Sequence, residues 1–357
     1  MKVGGMFCLE KPGDTISRFP QALDEYISRA GDYRFCMSGR CGIYYSLLDI
    51  LQHDTKRTAY LPAYTCETVI DSYVKAGYQI IWYDVSPDLL TPRFDPGAVR
   101  DISVLGLCGY FGFSYYDRNF VKACRDAGVT IVHDITHSAF SGDGVDPLAH
   151  YAAGSFRKWI GIPSGGIAVK QTGTFNLPML PAEEEHIRGR VACFEAREKV
   201  LEQEDGVTDD IVTDIFWKTE LRLRKMFDAY ESDELSGEIM THYDYAGMIE
   251  KRRGNYQYIL SDNPFNEKIR PVFPVLRPGE CPSHMSLYSP DRGKIQEILL
   301  GEGIKSTVYW PEPPHVDLSK YPGAAKIYKE IFSLPVDQRY GEEEMAVLCN
   351  AIRKAGS

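Results

Sequence analysis

The sequence predicts an α/β protein: a larger domain on a mostly parallel sheet flanked by helices, followed by a smaller α+β domain. Three observations carry this expectation. The first two-thirds of the chain alternates apolar strand-like runs with amphipathic helical runs over short connections. From about Pro181 the texture changes to long, charged, helix-favouring segments, and the last third returns to mixed strands and helices. The length, 357 residues, also exceeds that of one small domain. We place the division near residue 240, giving domains 1–240 and 241–357, with linking helices from about 181 onward.

Taken in order, residues 58–62 read as a strand ending in a turn, and 67–76 as a helix closed by Gly77, a residue suited to a helix C-terminus. Residues 80–83, 104–107 and 130–134 follow as strands, with a helix over 118–127 that stops at Gly128. This βαβ rhythm is the pattern of parallel pairing. Residues 183–204 and 216–230 read as solvent-bordering helices, 272–276 as a strand and 293–300 as a helix.

Hydrophobic residues make up 44% of the chain and charged residues 25%, the balance of an ordinary soluble globular protein. The formal net charge of −10 offers no basic footprint, so no nucleic-acid partner is expected. The first residues lack the basic and apolar regions of a signal peptide, and no run of roughly 18 apolar residues could span a bilayer. A cytoplasmic protein without membrane contact is the expectation. The 9 cysteines are scattered with no Cys-x-x-Cys pair, which argues against structural zinc and dithiol exchange.

Three segments carry chemistry. Strand 130–134 delivers Asp134 at its carboxyl end, the edge of a parallel sheet where ligands bind; a carboxylate there serves equally as a helix N-cap. Lys158 stands in Gly154-Ser155-Phe156-Arg157-Lys158-Trp159, among small and aromatic residues and just before an apolar run at 167–169. Desolvation and the neighbouring Arg157 would lower its pKa toward a nucleophilic amine, whereas the plain alternative is a basic turn. Ser38-Gly39-Arg40-Cys41-Gly42 precedes a helical run at 43–51, and small residues at a helix start free N–H groups for an anion such as phosphate. No Gly-x-Gly-x-x-Gly follows a strand, which disfavours a dinucleotide domain. A metal hydrolase built on Asp134 and His137 lacks further ligands at suitable spacing.

The order of these features, with Lys158 falling 24 positions after Asp134, resembles the fold-type I pyridoxal-phosphate (PLP) enzymes. Within them it is similar to the DegT/DnrJ/StrS family of sugar aminotransferases. The likeness runs nearly end to end: Leu61-Pro62-Ala63-Tyr64-Thr65-Cys66, then Ala76-Gly77 and Asp84-Val85, then Arg252-Arg253-Gly254-Asn255-Tyr256, and finally Tyr309-Trp310-Pro311 and Ser333-Leu334-Pro335. The resemblance implies that Lys158 carries PLP and acts as catalytic base, that Asp134 pairs with the pyridine nitrogen, and that His137 lies over the cofactor. It places Gly39, Arg40, Cys41 and Ser155 at the phosphate. Three departures stand out, the first being Arg40 at a position often held by Thr, which would offer the phosphate a guanidinium instead of a hydroxyl. Ser155 is three residues before the lysine instead of five, and the aromatic that stacks on the ring in relatives aligns with Cys66, leaving Tyr64 or Tyr110 as substitutes.

The activity so implied is ping-pong transamination from glutamate or glutamine to a nucleotide-linked keto-sugar, in surface-polysaccharide or amino-sugar biosynthesis. The working unit would be a homodimer with shared active sites. A transaminase with a non-sugar acceptor, or a non-catalytic PLP-binding relative, are the alternatives.

Overall fold

The computed structural model describes residues 3–17, 19 and 21–357. Strands β1 (Asp32–Cys36), β2 (Thr58–Pro62), β3 (Gln79–Ser86), β4 (Thr91–Arg93), β5 (Val104–Cys108), β6 (Thr130–Asp134), β7 (Tyr151–Ser155) and β8 (Gly166–Lys170) form one sheet in the order β1-β8-β7-β6-β5-β2-β3-β4. Neighbours from β3 through β2, β5 and β6 to β7 are parallel; β4 and β8 run antiparallel on the flanks. A second, small antiparallel sheet near the C-terminus holds β9 (Arg270–Pro271), β10 (His284–Tyr288) and β11 (Ile331–Pro335).

The helices are α1 (Gln21–Ser28), α2 (Gly39–Ile50), α3 (Glu67–Lys75), α4 (Arg118–Asp126), α5 (Glu184–Leu201), α6 (Asp209–Met226), α7 (Glu234–His242), α8 (Tyr245–Asp262), α9 (Arg292–Gly301), α10 (Pro322–Glu330) and α11 (Glu342–Gly356). None of the described helices is long and apolar enough to cross a membrane.

Strands β2, β5 and β7 are buried at every residue, as expected of a parallel sheet covered on both faces. Helix α2 lies across β7, β8 and β1 and is buried along nearly its whole length. Its approach depends on Gly42, where an added Cβ would stand 2.6 Å from the Ile167 carbonyl oxygen.

Most expected elements lie where their patterns put them, and the differences have physical causes. Helix α2 starts at Gly39, four residues before the expected 43, because Ser38 caps it by accepting from the Cys41 N–H. Strand β7, Tyr-Ala-Ala-Gly-Ser, was not expected; small residues with weak strand preference are drawn into the sheet by burial between β6 and β8. The expected strand at 272–276 is not formed. Val272 still donates to the Ser286 carbonyl, but Pro274 has no N–H to continue the ladder, so pairing is confined to Arg270–Pro271.

The Arg-Arg-Gly-Asn-Tyr run falls on α8, and its buried face fastens the C-terminal region to the lysine turn. Arg252, fully buried, donates to the Trp159 and Ser283 carbonyls and to Gln338 Oε1, with its guanidinium 4.8 Å from the Trp159 ring centre. Asn255 Nδ2 donates to the carbonyls of Val336, Asp337 and Tyr340, and the Tyr256 hydroxyl to that of Phe273. Arg252→Met keeps the packing volume but strands buried acceptors, each costing about 1–3 kcal/mol. A loss of about 2–4 kcal/mol in urea unfolding is therefore expected.

Candidate active site

The carboxyl ends of β5, β6 and β7 meet the N-termini of α2 and α3 around a cavity of about 100 Å³. Gly39, Arg40, Cys66, Asp134, His137, Ser155 and Lys158, dispersed over 120 residues of sequence, all line it. Cys41 and Tyr64 do not. The Cys41 thiol is fully buried and accepts from the Ser38 hydroxyl, while the Tyr64 ring packs against Tyr110, Trp310 and Tyr328. Tyr110 also stays off the cavity wall, where Trp310 is the aromatic present.

Asp134 ends β6, and no helix follows it; its Oδ1 accepts from the Thr136 N–H at 2.9 Å within a turn. The carboxylate thus holds a turn instead of capping a helix. Burial pushes its pKa up, with the hydroxyl and N–H of Thr136 pulling it back down. A buried acid of this kind gains from a cationic partner.

Lys158 sits in a single turn, Phe156–Lys158, between β7 and β8. The turn is pinned on both sides of the lysine: Phe156 and Trp159 are fully buried, and Trp159 Nε1 donates to the Thr136 carbonyl at 2.8 Å. One bond therefore ties the lysine turn to the Asp134 turn. The Lys158 side chain reaches solvent through the cavity, yet protein surrounds it. That enclosure lowers its pKa, and Arg157 and Arg190 lower it further, against Glu220 and Cys66, which raise it. The direction favours a neutral, nucleophilic amine.

His137 is buried, with Phe111, Tyr309 and Trp310 around its ring at centroid distances of 5.0, 5.3 and 5.4 Å. Burial, then the Lys158 charge, drive its pKa down to about 3, so the imidazole is neutral at pH 7. Its Nδ1 has no hydrogen-bond partner among the described residues.

One flank of the cavity is built for an anion. Gly39 opens α2 against β7, where an added Cβ would come within 2.9 Å of the Gly154 carbonyl carbon and 3.0 Å of Ser155 Cβ. The helix start and Ser155 are thereby held side by side. Ser155 Oγ, Arg40 Nε and Nη1, and Arg157 Nη1 are all buried without a hydrogen-bond partner among the described residues. Unmet buried donors cost about 1–3 kcal/mol each, and here they gather on one wall.

Sequence reasoning missed Glu220. It projects from α6 to the cavity, with Oε1 3.1 Å from Arg157 Nη2 and 3.6 Å from Arg190 Nη1. Burial alone would raise its pKa, but Arg157, Arg190, Lys158 and Arg40 outweigh it and bring it down to about 2. In a run as charged as 209–226 one more acid looks solvent-facing. The available signal was its spacing: Leu223, three residues on, is fully buried and marks the inward face. Elsewhere, Glu67, Asp71 and His315 place ligand atoms within 4.8 Å of one another, but Arg224 pairs with both carboxylates.

No family model matches the sequence, and no curated protein matches it. Solved structures do. A sugar aminotransferase of Streptococcus pneumoniae in its PMP form has a TM-score of 0.69 at 14% identity, covering 99% of this chain and 97% of its own. Helicobacter pylori PseC, an aminotransferase of pseudoaminic acid biosynthesis, gives 0.69 at 12% identity, with 99% of both chains covered. A DegT/DnrJ/EryC1/StrS aminotransferase of Brucella abortus gives 0.62 at 16% identity, covering 93% of this chain and 87% of its own. The pneumococcal protein has been solved in both PLP and PMP forms.

The residues present fit PLP: an accessible lysine, a buried acid and a wall of unpartnered donors suited to a phosphate share one cavity. Over its whole length the chain matches the DegT/DnrJ/EryC1/StrS sugar aminotransferases in structure, and its fold is that of the fold-type I aminotransferases.

Proposed function

We propose that the chain is a PLP-dependent aminotransferase that moves an amino group from a donor such as glutamate or glutamine to a keto acceptor. The acceptor class suggested by the structural neighbours is a sugar. The single observation that carries the proposal is the convergence of Lys158, Asp134 and the unpartnered donors of Arg40, Ser155 and Arg157 on one cavity.

When bound, PLP supplies an electron sink that stabilises negative charge at a substrate carbon. The rest falls to the chain's own residues. Gly39 at the start of α2, Arg40, Ser155 and Arg157 would hold the phosphate. Lys158 Nζ would hold the cofactor at rest and, once free, take the proton from the donor α-carbon, a task its lowered pKa suits. Asp134 would keep the ring nitrogen protonated, each buried charge stabilising the other. The neutral His137, with Trp310 stacked on it at 25°, would wall one side of the ring and limit water.

Asp134→Asn preserves shape but removes the charge. It is expected to take up PLP while lowering kcat about 10²–10³-fold, measured by steady-state kinetics. The proposal as a whole is tested by incubating PLP-loaded protein with glutamate and no acceptor. One equivalent of 2-oxoglutarate per active site is the expected result, and none would contradict amino transfer from glutamate.

A further inference from the structure

A second chamber also borders Lys158. It encloses about 320 Å³, within the range of small-molecule pockets, and shares Arg157 and Lys158 with the cofactor cavity. Its walls include the rings of Phe7, Phe194, Phe216, Trp217 and Tyr309. Among them sits Arg190, only 5% exposed, with its guanidinium carbon 4.9 Å from the Phe216 ring centre and 5.5 Å from that of Phe194. Its Nε and Nη1 have no hydrogen-bond partner among the described residues, and Nη1 is 3.6 Å from Glu220, beyond hydrogen-bond reach. The acid on the chamber wall, Asp337, is already engaged by Arg339 through Oδ1 at 2.7 Å and Oδ2 at 2.9 Å.

A buried guanidinium with unmet N–H groups, set among aromatic rings, calls for an oxyanion attached to a flat, apolar body. We propose that this chamber is the substrate subsite, taking a ligand with a carboxylate or phosphate group held by Arg190 and an aromatic or other planar ring lying among Phe194, Phe216 and Trp217. This rests on the aminotransferase proposal, because the chamber gains its meaning from opening onto Lys158. Burial, then Arg157, lower the Arg190 pKa to about 10, which leaves it cationic at pH 7. Glu220 neutralises part of the local positive charge without meeting the free donors of Arg190. The exposed Trp217 stands at the edge of the chamber, where a ligand ring would cover it.

The test is calorimetric titration of the protein, as purified, with three probes that carry no amine, aldehyde or ketone and so cannot enter amino transfer: 3-phenylpropionate, phenyl phosphate and neutral 3-phenylpropionamide. At least one anion should bind about tenfold or more tightly than the amide, as expected for a charge-assisted contact, and Arg190→Gln should reduce that anion to the level of the amide. Preference for phenylpropionate identifies a carboxylic-acid substrate and preference for phenyl phosphate a phosphorylated one; both support the proposal. Equal binding of all three by the wild-type protein, a result that depends on no variant, would overturn it. So would an anion preference that Arg190→Gln leaves intact. PLP uptake by the same sample is a separate readout. Protein that takes up PLP but does not distinguish anion from amide retains the cofactor site and loses this subsite, and the reverse pattern does the opposite.

Discussion

Lys158→Ala is expected to cut amino transfer by about 10³-fold or more while leaving the protein folded, because in the proposed reaction one side chain would both hold the cofactor and move the proton. Residues that serve two steps cannot be replaced by half measures: added amines would restore at most the proton transfer. The fold should survive because the turn bearing the lysine is fixed by others, namely Phe156, Trp159 and Arg252. Among the described residues the lysine amine itself makes no salt bridge. Equal urea midpoints for wild type and variant, alongside the activity loss, would separate a chemical role from a structural one.

Glu220→Gln is expected to destabilise the protein by about 3 kcal/mol at pH 7. The carboxylate, its side chain 20% exposed, lies among Arg157, Arg190, Arg40 and Lys158, and removing it takes away the negative charge that offsets those cations. The sign follows from its depressed pKa, about 2 in the folded state against an ordinary 4.5. The stabilisation is complete above the ordinary value and is lost as pH falls from there toward about 2. Wild type should therefore weaken through that acid window, and the variant should lack that part of the pH dependence in denaturant titrations. Since Glu220 raises the Lys158 pKa, the variant should also shift the alkaline rise of the half-reaction to lower pH.

The fold was legible wherever hydrophobic period and turn residues agreed. Strands β2 and β6 have the limits their apolar runs imply, and α3 and α4 stop just before Gly77 and Gly128. What stayed hidden depends on tertiary context. Strand β7 is recruited by its neighbours despite its small residues, and a strand at 272–276 is denied by the missing N–H of Pro274. At the site, Lys158, Asp134 and Arg40 were visible from local sequence and order. The roles of Glu220 and Arg190 were not, because charged residues on a charged helix look alike until the inward face is known. Cys41 and Tyr64 show the converse: standing one and two positions from cavity-lining Arg40 and Cys66 does not bring their side chains to the cavity.

The central claim is that Lys158 carries PLP, and its most direct test is the visible absorption spectrum of wild type and Lys158→Ala after incubation with PLP and removal of the excess. The account predicts a visible band from protein-bound cofactor in wild type that the variant lacks. A band of equal intensity in both proteins, or none in the wild type, would contradict it.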